Sequence, residues 1–159
     1  MQIAEQFFPG ALGGIVALHG RHYAEHWGFG PYFEAKVARE LAGFAARRSD
    51  DDLVLLARDD AGLAASLILD LNDPMSGDRG AHLRWFIVAD RRRGTGLGRM
   101  LLNRAIAHAE ARRGGRAWLT TFAGLHPARH LYESQGFRLV HEAEGTAWGT
   151  VVREQEFRR

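Results

Sequence analysis

Apolar side chains recur every three or four residues in several stretches of this chain, which is the spacing of one buried face of an α-helix. The pattern predicts helices over about residues 11–27, 31–47 and 97–113, and a shorter one within residues 126–136. Pro31 stands in the first turn of the second segment, where a helix tolerates proline. Glycines follow the third segment and close the fourth, where they favour helix ends.

Shorter runs rich in aliphatic and aromatic residues predict seven strands. They are expected at residues 3–8, 52–58, 61–71, 81–90, 117–122, 137–144 and 150–159. The second and third form a predicted hairpin, because the residue types of "DDAG" between them favour a tight turn. In the fourth, the nearly unbroken apolar run from Trp85 to Ala89 indicates a central strand that is covered on both faces. The order of elements predicts an α/β (α+β) fold, a mixed sheet with helices on both sides.

Composition narrows the class of protein. With 159 residues, 46% of them hydrophobic, the chain has the size of one globular domain, so we expect a single domain over residues 1–159. Cysteine is absent, which excludes disulfides and thiolate nucleophiles. The net charge is only +2 and the arginines are scattered, which argues against nucleic-acid binding. With no basic leader and no apolar run of roughly 18 residues, the sequence predicts a cytoplasmic protein without a membrane partner.

The segment "RRRGTGLGRML", residues 91–101, joins the fourth strand to the third helix through three glycines. A helix N-terminus leaves backbone N–H groups unpaired, so this turn predicts a site for an anionic ligand such as phosphate. The letters match neither a P-loop, which requires a lysine, nor the dinucleotide fingerprint, which needs its third glycine one position later. Alternatively, the glycines only permit a tight turn, and Arg91 and Arg92 form a solvated flank.

Two motifs resemble those of the GNAT family of N-acetyltransferases. Arg93, Gly96 and Gly98 occupy the positions of its acyl-CoA-binding signature R/Q-x-x-G-x-G/A, although Arg91, Gly94 and Gly96 also satisfy the spacing. Downstream, "ARHLYESQGF" resembles the family segment A-x-x-L-Y-E-x-x-G-F. The N-terminal half is also similar to the acetyltransferase domains that are fused to MarR-type winged-helix regulators.

The resemblance implies a GNAT fold, in which a central, mixed, mostly antiparallel seven-stranded sheet carries helices on both faces and splays between strands 4 and 5. It also implies direct transfer of an acetyl group from acetyl-CoA to an amine, with no covalent enzyme intermediate and no metal. The expected partners are therefore acetyl-CoA and an amine acceptor, either a small molecule or a peptide. The expected assembly is a monomer or a homodimer.

The same resemblance assigns residues to the cofactor. Backbone N–H groups from Gly94 to Arg99 would hold the pyrophosphate, and the end of the fourth strand would offer backbone hydrogen bonds to the pantetheine arm. The expected cofactor-binding residues are Ile87, Val88, Arg93, Gly94, Thr95, Gly96, Leu97, Gly98, Arg99 and Thr121. Thr121 is included because many relatives carry an asparagine after the fifth strand, and "TTFAGLHPA" contains none.

Tyr132 of "LYE" is the implied general acid, which would protonate the CoA thiolate as it leaves; a residue of the apolar core is the alternative. The attacking amine must lose a proton, because a lysine-like amine is mostly protonated at neutral pH. The sequence does not single out the group that accepts this proton: Glu34, at the start of the second helix, is one candidate, and His19 and His82 are others.

The expected substrate contacts are His19, Tyr23, Arg84 and Trp85. Strand alternation places Arg84 on the face opposite Leu83 and Trp85, and an arginine in an apolar strand needs a carboxylate, either Glu34 or one from the substrate. A different function remains open at this point, because an acetyl-CoA-binding sensor or interaction module that has lost turnover would keep the same cofactor loop.

Overall fold

Seven strands form one sheet in the order β1-β2-β3-β4-β5-β7-β6 in the computed structural model, which describes residues 1–159. In chain order the elements are β1 (Gln2–Ala4), α1 (Ala11–Trp27), α2 (Pro31–Arg47), β2 (Leu53–Asp59), β3 (Gly62–Asp70), β4 (Ala81–Val88), α3 (Leu97–Arg113), β5 (Ala117–Phe122), α4 (His126–Ser134), β6 (Arg138–Gly145) and β7 (Val152–Arg158). A short 3₁₀ helix, Asp90–Arg92, follows β4. All neighbouring strands are antiparallel except β4 and β5, which confirms the predicted mixed, mostly antiparallel sheet.

The two faces of the sheet bury different helices. The apolar side of α3, including Leu101, Leu102 and Ala105, joins Tyr132 of α4 in a buried cluster on one face. On the other face, α1 and α2 pack against the sheet through residues such as Ile15 and Leu41. Helices therefore cover both sides, as the element order predicted. None of the four helices has both the length and the apolar composition required to cross a lipid bilayer.

The first strand is shorter than predicted. The expected strand over residues 3–8 ends at Ala4, because β1 pairs only with residues Leu56 to Arg58 near the end of β2. Phe7 instead makes an edge contact with the Phe44 ring at 6.3 Å between centroids. Its apolar character therefore serves the packing of α2 rather than the sheet.

The pairing of β4 with β5 stops after two residue pairs, Ala81 with Ala117 and His82 with Trp118. Beyond these pairs the strands diverge, which confirms the splay that the family resemblance implied. Gly80 stands just before this junction with a φ of +87°, and the Ala81 N–H donates to the Arg116 carbonyl at 3.0 Å. The segments that lead into β4 and β5 thus approach most closely at the base of the splay.

A bulge interrupts β4 in its middle. Ser66 of β3 pairs with Ile87 and Ile68 pairs with Arg84, so one residue of β3 faces two residues of β4. Trp85 lies in this bulge with a φ of +47°, a strained value for a residue with a side chain. The Ser66 hydroxyl donates to the Trp85 carbonyl at 2.6 Å, which stabilises the bulged backbone.

The bulge changes which side chains share a face. Leu83 belongs to the cluster under α3, whereas Trp85 belongs to the cluster under α1 and α2. The Arg84 guanidinium lies 4.1 Å from the centroid of the Trp85 ring, so these two neighbours lie on the same face. The prediction that Arg84 faces away from Trp85 is therefore wrong, because simple alternation fails across a bulge.

We expect Gly80→Ala to destabilise the fold much more than Gly10→Ala. The two glycines have nearly equal φ values, +87° and +86°, so the cost of placing alanine in a left-handed conformation, about 1 kcal/mol, is common to both. A Cβ on Gly80 would lie 2.3 Å from the Arg116 carbonyl oxygen, whereas a Cβ on Gly10 would meet nothing within 4 Å. Because the backbone must move to relieve this clash, Gly80→Ala should lose about 1–3 kcal/mol more free energy of unfolding than Gly10→Ala. Urea unfolding of both variants measures the difference, and equal losses would show that the close approach does not matter.

Candidate active site

The splay between β4 and β5 opens a cavity with a volume of about 1020 Å³. Its walls come from the diverging strands, the N-terminal part of α3, helix α4, and the sides of α1 and α2 that face the sheet. One face of β4 is half-buried rather than fully covered near its C-terminal end, because Phe86 and Val88 line this cavity. The strand is central, as predicted, but it is not covered on both faces at its C-terminal end.

The turn between β4 and α3 presents unpaired backbone donors. The N–H groups of residues 94–99 donate to no acceptor within the protein, and the first helical bond of α3 runs from the Met100 N–H to the Gly96 carbonyl at 3.0 Å. Gly94 and Gly96 have φ values of +73° and +83°, a left-handed conformation that glycine adopts without strain. Six successive free N–H groups at a helix N-terminus form a site for a polyanion.

Gly98 keeps α3 close to β4. A Cβ at this position would lie 3.4 Å from Val88 and 3.5 Å from both Phe86 and Leu131, so a side chain would fill the space where these elements meet the cavity. Of the predicted cofactor-binding residues, those that line the cavity are Ile87, Val88, Arg93, Gly94, Gly96, Leu97, Gly98, Arg99 and Thr121. Thr95 does not line it, because its hydroxyl donates to the Arg92 carbonyl at 2.7 Å.

The arginines of this turn have distinct surroundings. Arg91 and Arg92 both form ion pairs with Asp59 at the tip of the β2-β3 hairpin, at 3.0 and 2.7 Å, so the alternative that they are a solvated flank is wrong. Hydrogen bonds from these two arginines hold the pKa of Asp59 below its ordinary value. Arg93 pairs with Asp90 at 2.9 Å. Arg99 is exposed at the cavity and has no carboxylate partner, so its charge is available to a ligand.

Tyr132 lies at the inner end of the cavity. Its ring is 6% exposed and packs against Phe86, Phe137 and Phe157, so it is a core residue as well as a cavity residue. The hydroxyl has no hydrogen-bond partner in the protein and is not sealed from the cavity. Burial raises the pKa of this hydroxyl well above its ordinary value, so it carries its proton throughout the neutral range.

Two predicted substrate residues of α1 also face the cavity. Burial raises the pKa of the Tyr23 hydroxyl to about 12. The pKa of His19 is lowered to about 4, chiefly because burial disfavours the charged ring. The Nδ1 atom of His19 lies 2.9 Å from the Ile15 carbonyl, so a neutral ring donates from Nδ1 and leaves Nε2 as an acceptor.

Arg84 belongs to a network of charges at the end of the cavity away from α3. It contacts Glu40 of α2 at 3.2 Å, the fully buried Asp70 at 3.4 Å and Asp73 at 3.5 Å. The predicted pairing with Glu34 is wrong. Glu34 is exposed, does not line the cavity, and has its carboxyl group beside Gly20 of α1. We therefore assign Glu34 no proton-accepting role.

His82, another candidate proton acceptor, is held firmly in the same network. Its Nδ1 atom lies 2.6 Å from Asp73, and its ring stacks on Trp118 at 3.6 Å between centroids. Burial lowers the pKa of His82 and outweighs the opposing effect of its carboxylate partner Asp73. The His82 ring lines the cavity, but Asp73 holds it at its edge and Trp118 packs against its face.

Sequence reasoning missed Glu154. Three carboxylates line the cavity, and Glu40 and Glu156 are engaged in ion pairs with lysine or arginine, whereas Glu154 is in none. Glu154 lies on β7 opposite Phe122 of β5, and it accepts a hydrogen bond from the Ala147 N–H at 2.8 Å. The alternation of "EQE" in the last strand was the available signal, because it places both glutamates on one face.

Part of the cavity lining is aromatic. Tyr23, Phe33 and Trp85 belong to this part, and the Trp148 ring from the β6-β7 loop lies 5.6 Å from the Phe122 ring. Trp85, a predicted substrate contact, is 9% exposed, so little of its surface is open to a ligand. The cavity therefore combines an anion-binding turn, a buried phenol and an aromatic region with one unpaired carboxylate.

Comparison with known proteins agrees with this geometry. No curated protein sequence matches the chain significantly. Among solved structures, ribosomal-protein-alanine N-acetyltransferase from Brucella melitensis aligns with a TM-score of 0.75 and 20% identity, covering 100% of this chain and 99% of that one. The structure of yncA from Salmonella typhimurium with its cofactor acetyl-CoA gives 0.74 and 19%, covering 100% and 92%. A mutant of the spermidine N-acetyltransferase SpeG from Vibrio cholerae gives 0.65 and 18%, covering 99% and 94%.

These structures share the fold of this chain at low sequence identity. The sequence itself matches the model of the acetyltransferase (GNAT) family over residues 14–137. That stretch includes α1 from Gly14 onwards, the turn before α3, Tyr132 and Phe137. Because the match spans most of the 159 residues, the chain belongs to the GNAT family of acetyltransferases.

Proposed function

We propose that this protein is an N-acetyltransferase that transfers an acetyl group from acetyl-CoA directly to a primary amine of a small molecule or peptide. The observation that carries the proposal is one cavity whose lining includes five residues with unpaired backbone N–H groups, Gly94 and Gly96 to Arg99, together with Tyr132 and its free hydroxyl. The comparison structures named N-acetyltransferases support the choice of an amine as acceptor.

The residues that line the cavity fit acetyl-CoA. This cosubstrate supplies an acetyl group that is activated as a thioester. The N–H groups of residues 94–99 would bind the pyrophosphate, and Arg99 would add an uncompensated positive charge. From Leu83 onwards, the edge of β4 that faces β5 has no strand partner. Val88 therefore has its N–H available to a pantetheine arm that lies between the strands. Its carbonyl accepts a hydrogen bond from Arg93 Nε at 3.3 Å, and Ile87 pairs with Ser66 of β3, so Ile87 would contact the arm through its side chain. Thr121 lines the cavity from the β5 side and would contact the same arm.

Tyr132 would donate its proton to the departing thiolate. A phenol with a raised pKa is a weak acid, so full transfer is unfavourable before the carbon–sulfur bond has lengthened. The positive end of α3 would lower the energy of the thiolate at the same time. The main effect of Tyr132 would then be a hydrogen bond that holds the sulfur and strengthens as negative charge develops on it.

Glu154 would receive the amine. An ammonium group entering an apolar region needs a counter-charge, and Glu154 is the cavity carboxylate that no protein cation neutralises. A chain of water molecules would carry the extra proton of the ammonium group to solvent. The neutral amine would then donate a hydrogen bond to the neutral His19 Nε2, and Tyr23 would form the adjoining wall. The similarity of the N-terminal half to domains fused to MarR-type regulators stays a prediction.

The decisive assay measures thiol release from acetyl-CoA with amino acids, polyamines, aminoglycosides and peptides as acceptors. We expect release with at least one amine class and an acetylated product that mass spectrometry identifies. Binding of acetyl-CoA with no thiol release from any acceptor would instead favour the sensor or interaction module.

We expect Tyr132→Phe to reduce kcat about a hundredfold or more, the usual contribution of a positioned acid, with little change in KM for acetyl-CoA. The substitution should not affect stability, because the hydroxyl makes no hydrogen bond within the protein. The matched control is Tyr32→Phe, at a residue that is 61% exposed and outside the cavity. A kcat for Tyr132→Phe equal to that of the control from pH 6 to 10 would remove the assignment.

Arg99→Gln should weaken acetyl-CoA binding about tenfold, because a charge-assisted hydrogen bond to phosphate contributes about 1.5–3 kcal/mol. The loss should shrink as salt concentration rises, since salt screens the interaction. Arg104→Gln is the control, because Arg104 belongs to the same helix but pairs with Glu5 and does not line the cavity. Equilibrium binding of acetyl-CoA checks both variants, and equal affinities would contradict the role of Arg99.

Glu154→Gln should raise KM for the amine about tenfold and leave KM for acetyl-CoA unchanged. Glutamine keeps the size of the side chain and can still accept from the Ala147 N–H, so the main loss is the negative charge. Glu144→Gln on the exposed part of β6 is the matched control. Initial rates with both substrates varied separate the two KM values, and a rise in the acetyl-CoA KM alone would be inconsistent with this assignment.

A further inference from the structure

Two histidines and one aspartate meet at the mouth of the cavity, outside the machinery described above. His22 and His26 stand four residues apart on the last turns of α1, so they share one helical face. Asp90 reaches them from the 3₁₀ helix after β4. His22 Nδ1 lies 3.3 Å from one carboxylate oxygen of Asp90, and His26 Nε2 lies 2.8 Å from the other.

The three side chains have the donor set of a transition-metal site. Their ligand atoms all lie within 4.8 Å of one another, so small rotamer changes bring them to one ion. Two imidazoles and one carboxylate suit Zn²⁺, Co²⁺ and Ni²⁺, and three protein ligands leave a position for water. Burial lowers the pKa of His22, so this ring is neutral and able to coordinate at neutral pH.

We propose that His22, His26 and Asp90 form a binding site for one divalent transition-metal ion. His26 and Asp90 are about half-exposed, which gives the ion direct access from solvent. Asp90 also supplies the negative charge that distinguishes this cluster from a pair of histidines alone.

Arg93 competes with the ion for this site. Its Nε lies 2.9 Å from Asp90, and one of its Nη atoms lies 3.0 Å from His22 Nε2. A cation bound between His22 and Asp90 therefore displaces the guanidinium. Arg93 is half-exposed and lines the cavity, so it has room to move towards an anionic ligand.

This competition links the metal site to the cofactor turn. Arg93 occupies the first position of the acyl-CoA-binding signature, so we expect it to turn to the pyrophosphate of a bound cofactor. Asp90 then loses a positively charged neighbour and binds the metal ion more tightly. Linkage is reciprocal, so the metal ion in turn favours the cofactor. The coupling rests on the proposed function, whereas the metal site itself does not.

Helix α4 provides an internal control. His126 and His130 have the same four-residue spacing, but these residues have no carboxylate that completes a ligand cluster. Any affinity of paired helical histidines for metal is common to both helices. Only the α1 site has Asp90.

The test is a titration of protein without an affinity tag with Co²⁺, followed by visible absorption, with Zn²⁺ as competitor. We expect one ion per chain. Affinity should fall about tenfold or more in His26→Gln and in Asp90→Asn, and should stay unchanged in the His126→Gln/His130→Gln double variant. Circular dichroism checks that each variant is folded. No binding, binding lost only in the α4 double variant, or equal affinity in His26→Gln and the unmodified protein would each overturn the proposal.

The Arg93→Gln variant distinguishes the metal site itself from the coupling between metal binding and cofactor binding. Removing the competing cation should raise the Co²⁺ affinity severalfold without any cofactor present. Adding acetyl-CoA without an amine should raise the affinity of the unmodified protein and leave that of Arg93→Gln unchanged. A metal affinity that Arg93→Gln lowers would contradict the competition. If the protein binds acetyl-CoA but its Co²⁺ affinity is the same with and without acetyl-CoA, the coupling is refuted. The metal site and the proposed function would both still stand.

Discussion

The hydrogen bonds between β4 and β5 end after two residue pairs, and the candidate site exists because they end there. Had the strands continued in register, the backbone edge of β4 would be paired and the cavity would be filled by neighbouring side chains. Gly80 allows the two strands to come close at the base, and the bulge at Trp85 turns β4 within the same stretch. The turn before α3 begins where β4 ends, so its unpaired N–H groups open directly onto the gap.

Charge is distributed unevenly around this gap. Most arginines near the cofactor turn have carboxylate partners: Arg91 and Arg92 share Asp59, and Arg93 pairs with Asp90. Arg99 has none, so a polyanion can bind it without breaking an ion pair. Glu154 is its negative counterpart in the cavity lining, a carboxylate that forms no ion pair. A ligand of opposite charge gains most binding energy next to these two unpaired charges, because it breaks no ion pair when it binds.

Burial sets the protonation of the groups between these charges. Tyr132 and Tyr23 keep their protons, and His19 stays neutral, because a charged form would lose hydration without gaining a partner. These three groups are therefore uncharged at neutral pH. Such an arrangement suits a reaction in which a neutral amine attacks and negative charge appears on a sulfur near a protonated phenol.

The sequence by itself determined the order of the elements and the glycine turn, because helix periodicity and glycine conformation are local properties of a chain. The resemblance of two short motifs indicated the family, and the role of Tyr132 stays a prediction. Sequence reasoning failed where simple alternation was extended through the bulge at Trp85, and neither Glu34 nor a substrate, the two carboxylate sources it offered for Arg84, is the partner seen in the structure. Only the tertiary structure decided that Arg84 meets Glu40 and Asp70, that Glu154 lacks a cation, and that Asp90 joins two histidines of α1. These contacts join residues far apart in sequence, and their energies depend on distance and burial, which exist only once the sheet and helices have packed.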